Sequence, residues 1–196
     1  QDNNLLIKEK LEKSVYLLSY VVSAIMALCI LVAEPLIHLL YGNQWDDAIP
    51  YFQILCLGGI PLCLQDVNIN VIKAKGKSKA LFICNVLKVL FYIAVMLLGA
   101  FIAGIYGFIW LMVAYSIVAF ISFAILGAYY IKTNIFQQLG SVLKSIIISG
   151  IPFAIIQFIH EIVFIKSYML WLIIDCSLYI VIFMVISLMS IYSSQN

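Results

Sequence analysis

The chain has 196 residues, of which 65% are apolar and only 10% charged, and its formal net charge is +2. Soluble domains carry about 25% charged residues, and so little charge cannot cover the surface of a domain of this size. A soluble enzyme and a disordered segment are excluded, and so is a nucleic-acid binder. All eleven basic residues are Lys, and none is Arg, whose planar fork suits phosphate recognition.

What remains is an all-α, polytopic transmembrane helix bundle. A helix needs about 20 apolar residues to cross about 30 Å of hydrocarbon, and six stretches of that kind occur. A charged segment, 1–13, leads in as an amphipathic helix. A chain that starts at Gln1 on such a segment reads as the middle of a longer protein. The first span, Val15–Ala33, is uncharged and continues through Glu34–Pro35 to Leu40. Glu34, Pro35 and His38 read as an interfacial cluster beside a helix break. The second span, Ala48–Leu64, runs on to Ile72 through Gln65-Asp66-Val67-Asn68-Ile69-Asn70. Within it, Gly58-Gly59 before Pro61 predicts a break.

The third span, Ala80–Ala103, contains one charge, Lys88, and the fourth, Gly104–Ile131, contains none. A tight turn, Ile102–Gly107, joins them, and Gly99, Gly104 and Gly107 predict close packing of the two helices. The fifth span, Ser145–His160, follows a connection bracketed by Lys132 and Lys144. His160–Glu161 then reads as an exposed turn. The sixth span, Ser167–Ile191, contains Asp175, for which a Ser or Tyr of another helix is the expected partner.

Loop charge sets the orientation. Six alternating spans put Lys8, Lys10, Lys13, Lys73, Lys75, Lys77, Lys79, Lys132 and Lys144 on one side, nine of the eleven lysines. By the positive-inside rule that side is cytoplasmic, as are both termini. Asn43 and Lys166 then fall outside. Trp45, Trp110 and Trp171 all reach the same outer interface, as aromatic belts require. The five cysteines lie singly in apolar runs with no CxxC, so no disulfide, metal or cofactor is expected.

Ionisable and amide side chains inside spans are costly and therefore informative. Asp66 and Asn70 share a face at i, i+4, beside Gln65 and Asn68. Asn85, Lys88 and Tyr92 share a face of the third span at i, i+3, i+7. Counting about 1.5 Å per residue puts Asp66 and Lys88 at similar depth, roughly 10 and 13 Å in. Two readings follow. Lys88 and Asp66 neutralise each other structurally, or Lys88 faces an aqueous cavity and meets an anionic substrate. The candidate cavity residues are Lys88, Asp66, Asn85, Asn70 and Tyr92. No catalytic constellation is present, and the chain is not expected to be an enzyme.

The segment Glu34-Pro-Leu-Ile-His-Leu-Leu-Tyr-Gly-Asn-Gln-Trp-Asp-Asp-Ala-Ile-Pro50, with Tyr51-Phe-Gln-Ile-Leu55, resembles one from bacterial polysaccharide flippases. These are the O-antigen and teichuronic-acid type exporters of the multidrug/oligosaccharidyl-lipid/polysaccharide superfamily. Asn68-Ile-Asn-Val-Ile-Lys-Ala-Lys-Gly-Lys77 is similar to their pattern N-x-x-x-x-A-x-G-[KR]. Gly104-Ile-Tyr-Gly107 is similar to their short outer turn. The matching order and spacing cover roughly Leu5–Lys132.

The resemblance implies the C-terminal part of a two-lobed transporter with 12 to 14 spans. Residues 14–132 would be four spans of the second lobe, and 133–196 two additional helices. It also implies a flippase for undecaprenyl-pyrophosphate-linked oligosaccharide, whose partners are that lipid-linked substrate, the bilayer and the missing N-terminal lobe. A multidrug cation antiporter of the same superfamily is the alternative within this class. A membrane polysaccharide polymerase, ligase or acyltransferase is the alternative outside it, though every outer loop here is short.

Overall fold

The computed structural model describes residues 2–102, 104–162 and 167–193. It is all-helical: α1 (Asp2–Leu31), α2 (Ala33–Tyr41), a 3-10 turn (Asn43–Trp45), α3 (Ala48–Ala74), α4 (Ser78–Ile102), α5 (Gly104–Ile131), α6 (Ile135–Ile162) and α7 (Tyr168–Ser193). All but α2 and the 3-10 turn are long and apolar enough to cross a membrane, which gives six spans among the described residues. The chain is a multi-pass membrane protein. Lys166 and the side chain of Glu161 lie outside the described residues.

The lead-in runs into the first span without a break, because Leu11 and Val15 are buried and pack against Ile131 of α5. The helix breaks instead at Val32, three residues before Pro35, whose ring removes a backbone donor. Beside the break, the Ile30 carbonyl accepts a hydrogen bond from Gln53 Nε2 at 3.2 Å. The break expected at Gly58–Pro61 is absent, since α3 is continuous with Pro61 inside it. The fifth span also starts earlier than hydropathy suggests. Asn134 caps α6 by accepting a hydrogen bond from the Phe136 backbone N–H at 3.0 Å, so Lys144 lies on the helix rather than in a connection.

A tight turn joins α3 to α4. After α3, Gly76 takes a φ of +66°. Its N–H reaches the Lys73 carbonyl, and the Lys77 N–H reaches Ile72. This double closure needs a residue free to turn left-handed.

The helices form an arc in the order α4, α5, α3, α1, α6, α7, with α2 between α3 and α7. Chain neighbours α3 and α4 touch little, as do α5 and α6. In lipid, helices gain nothing by hiding apolar surface from each other, so close backbone approach decides who packs with whom. Gly58 of α3 lies against Val113 and Ser116 of α5, and Gly127 of α5 lies against Asn68 of α3. Gly99 sets α4 against the Phe108 backbone of α5, as the glycine spacing predicts. Ser19 and Ser23 of α1 and Ser145 and Ser149 of α6 are small, buried and spaced by four. Each hydroxyl bonds a carbonyl of its own helix.

The centre of the arc is apolar. Val22, Ile60, Leu64 and Phe120, from α1, α3 and α5, form one cluster, onto which Val142 of α6 packs. The flanking helices α4 and α7 leave long rows of apolar side chains exposed, among them Phe82, Leu87, Leu90 and Leu97 on α4.

These contacts rank the glycines. A methyl on Gly59 meets only the end of the Met26 side chain, at 2.7 Å, which can swing away. A methyl on Gly99 meets Phe108 Cα at 3.2 Å, which cannot. Gly59→Ala should leave thermal stability in detergent unchanged or raise it, by up to about 1 kcal/mol from helix propensity. Gly99→Ala should lower stability by about 1–3 kcal/mol through overpacking. Equal melting temperatures for the two variants would contradict this packing.

Candidate functional site

The five candidate residues divide between two helices that both lean on α5. Asp66 and Asn70 lie on the exposed stripe of α3, while Gln65 and Asn68 turn inward and are buried. Asn85, Lys88 and Tyr92 are partly buried on α4. No ion pair joins Lys88 to Asp66 among the described residues, which corrects the structural pairing expected from depth alone. The depth argument assumed that helices joined by a short turn pack side by side. Here α4 packs on α5 instead, and α3 and α4 meet only near their turn, around Ile72 and Leu81.

Lys88 rests on an aromatic ring. Its Nζ lies 5.2 Å from the centroid of Phe123, a buried residue of α5. A cation over a ring face gains about 0.5–2 kcal/mol, more as water is excluded. Lys88 also lines a cavity of about 230 Å³ with Cys84, Phe91, Tyr115 and Ser122. Tyr92 lines the next cavity, about 240 Å³, with Leu62 and Gly58 of α3 and Val113 and Tyr115 of α5. Tyr115 borders both, and its ring lies 4.9 Å from that of Tyr92. Residues of α3, α4 and α5 thus share one groove. Its floor is α5, and its lining is mostly apolar, with the Lys88 ammonium, the Tyr92 and Tyr115 phenols and the Ser122 hydroxyl as its polar groups, while Asn85, Asp66 and Asn70 do not line it.

A second polar set lies under the groove. Asn68, fully buried, donates from Nδ2 to Gln138 Oε1 at 3.2 Å, and Gln138 Nε2 reaches Thr133 Oγ1 at 3.4 Å. This ties α3 to the start of α6. Asn68 Oδ1 and Gln65 Oε1 have no partner among the described residues. Gln138 and Thr133 escaped the sequence reading because they lie before the hydropathy-defined start of the fifth span. The Asn134 cap is the signal that would have included them. Lys144 was missed as an intramembrane charge for the same reason. It lies nine residues into α6 and is exposed.

The opposite end of the bundle holds two imidazole–carboxylate contacts. His38 Nε2 lies 2.6 Å from Asp46 Oδ1, just after the 3-10 turn. His160 Nε2 lies 2.8 Å from Asp175 Oδ1. The partner of Asp175 is therefore a histidine on α6, not a Ser or Tyr. His160 is correspondingly half-buried rather than an exposed turn residue, since α6 and α7 pack together at this end. The sequence separation of fifteen residues across a turn hid the pair.

The arrangement predicts which polar residue on α3 is structural. Asn68→Ala strands Gln138 Oε1 in the bundle and should lower stability by about 0.5–2 kcal/mol, the range of interhelical hydrogen bonds in membranes. Asp66→Ala removes an exposed carboxylate with no ion-pair partner among the described residues and should change stability by less than about 0.5 kcal/mol. Thermal melts of the two variants in one detergent check both. A larger loss for Asp66→Ala would contradict the assignment.

Comparison with known proteins agrees with this membrane architecture. A sequence family described as "Polysaccharide biosynthesis protein" matches residues 1–50, which include the Glu34–Pro50 segment. A relative from Klebsiella pneumoniae, described as "Uncharacterized membrane protein in cps region", is 26% identical over 178 residues. That alignment covers 88% of this chain and 33% of the relative, so the chain spans about a third of that protein's length. No solved structure matches. The chain is similar, over its first helices and over most of its length respectively, to membrane proteins of polysaccharide biosynthesis and of the cps region.

Proposed function

We propose that the chain belongs to an exporter that moves a lipid-linked oligosaccharide, carried on undecaprenyl pyrophosphate, from the inner to the outer leaflet of a bacterial plasma membrane. A sugar headgroup loses its water without replacement in hydrocarbon, so passage requires a polar path through protein. The observation that carries this reading is the polar face of α4. Lys88 and Tyr92 line adjoining cavities, with Asn85 one turn before Lys88, on a helix whose other faces are apolar and exposed. Lys88 there is a cation with no carboxylate partner among the described residues, and a low-dielectric groove strengthens its pull on an anion. The family match at residues 1–50 and the cps-region relative support polysaccharide biosynthesis as the setting. The lysines at one end of the bundle support cytoplasmic termini. No residue in the groove is assigned a catalytic role, and the chain acts as transporter rather than enzyme.

The test is Lys88→Ala in the producing bacterium, with surface glycan and protein level measured together. The proposal expects surface glycan to fall by about tenfold or more, the equivalent of about 1.4 kcal/mol, with protein level unchanged. Adding Asp66→Leu to Lys88→Ala should not restore export, because the two residues do not pair. Wild-type surface glycan from Lys88→Ala would remove Lys88 from the mechanism and the proposed path with it.

A further inference from the structure

Where α6 meets α7, two side chains converge on one nitrogen of a third. Asp175 is wholly buried, its Oδ1 lies 2.8 Å from His160 Nε2, and its Oδ2 has no partner among the described residues. Trp171 Nε1 lies 3.0 Å from the same His160 Nε2, with the indole edge-on to the imidazole. The His160 side chain is 16% exposed, so the cluster is not sealed from the surface.

A neutral imidazole nitrogen carries either a hydrogen or a lone pair, and an indole N–H only donates. Trp171 can therefore bond His160 Nε2 only while that nitrogen keeps its lone pair. An ionised Asp175, which only accepts, requires the opposite: a hydrogen on Nε2. Both short contacts are attractive together when Asp175 is a carboxylic acid, with its O–H and the Trp171 N–H directed at one lone pair. Removing that proton leaves a buried carboxylate. The imidazole then answers by carrying its remaining hydrogen on Nε2, and Trp171 loses its acceptor.

We propose that Asp175, His160 and Trp171 form a proton-binding site holding one exchangeable proton, whose occupancy decides whether Trp171 is bonded to the imidazole. A proton suits the site better than a metal ion, since no group of three His, Cys, Asp or Glu side chains is arranged for a metal among the described residues. Charge accounting agrees. With the proton the cluster is neutral, and without it a lone negative charge sits among apolar helices, which is unfavourable.

The site connects to the other histidine. Tyr168 stacks on Trp171 with centroids 6.4 Å apart, and its ring lies 4.6 Å from His38, which contacts Asp46. A row of rings thus runs from α6 through α7 to α2. Among the described residues the titratable neighbours are Cys176 and Tyr168 on α7, Cys29 on α1, and His38 on α2 beyond Tyr168. Tyr179 on α7 is engaged with the Ser149 carbonyl. His38 is itself ionisable, so it needs its own control.

The inference does not depend on the transport reading, and its test measures the site directly. In the chain carrying Trp45→Phe and Trp110→Phe, Trp171 is the sole indole. Its emission in detergent should follow a one-proton titration. The titration should persist in His38→Gln and vanish in Asp175→Asn and His160→Gln. Infrared difference spectra of the unsubstituted chain, acid minus alkaline, should show a buried carboxylic-acid band, a readout that needs no variant to fold. Flat Trp171 emission, a titration unchanged by Asp175→Asn, or absence of the carboxylic-acid band would each overturn the proposal.

Discussion

The seam between α3 and α5 is the contact on which the arrangement depends. Inside a bilayer two apolar helices are as well solvated by lipid as by each other, so association rests on close packing and interhelical hydrogen bonds. Gly58 opens one end of this seam and Gly127 the other, with Asn68 filling the space that Gly127 leaves. Phe120 and Leu64 are buried between them. Because α5 is committed to α3 along this line, α4 is held on the other side of α5 through Gly99. A groove rather than a packed hairpin is left where α3 and α4 would otherwise meet.

That geometry determines what each intramembrane polar group does. Asn68 turns into the seam and becomes structural, joining Gln138 across to α6. Asp66, two residues earlier, projects from the bundle. Lys88 lies along the groove and settles on the Phe123 ring instead of on a carboxylate. At the far end, α6 and α7 have no such glycine seam. Their contact there is polar and aromatic, made by His160, Asp175 and Trp171. One end of the arc is thus fixed by steric fit, and the other by hydrogen bonds whose pattern changes with a single proton.

Much of the fold was legible because hydropathy reports burial in lipid directly. All six spans and their order follow from charge-free runs, whereas the turn expected at Ile102–Gly107 falls partly on residue 103, outside the described residues, and Gly104–Gly107 belong to α5. Helix pairing was not legible, because it depends on which glycine faces which helix, and an apolar sequence of low contrast does not encode that. Gly58-Gly59-x-Pro61 looked like a break and is instead a packing surface, since neighbouring helices make a buried proline tolerable. The Lys88–Asp66 pairing failed on the same point: equal depth is necessary for contact, but adjacency was decided by α5. His160 and Asp175 were both noticed as polar residues. Their meeting needed the three-dimensional register of α6 against α7.

The central claim, that α3 pairs with α5 and leaves α4 standing off across a groove, is tested most directly by disulfide formation in a cysteine-free background. A Cβ at position 58 lies 3.5 Å from Val113 Cα, and disulfides require Cβ atoms about 3.5–4.5 Å apart. The Gly58→Cys, Val113→Cys chain should cross-link rapidly under mild oxidant in membranes, while the Asp66→Cys, Lys88→Cys chain should not. Efficient cross-linking of 66 to 88, with none between 58 and 113, would contradict the account.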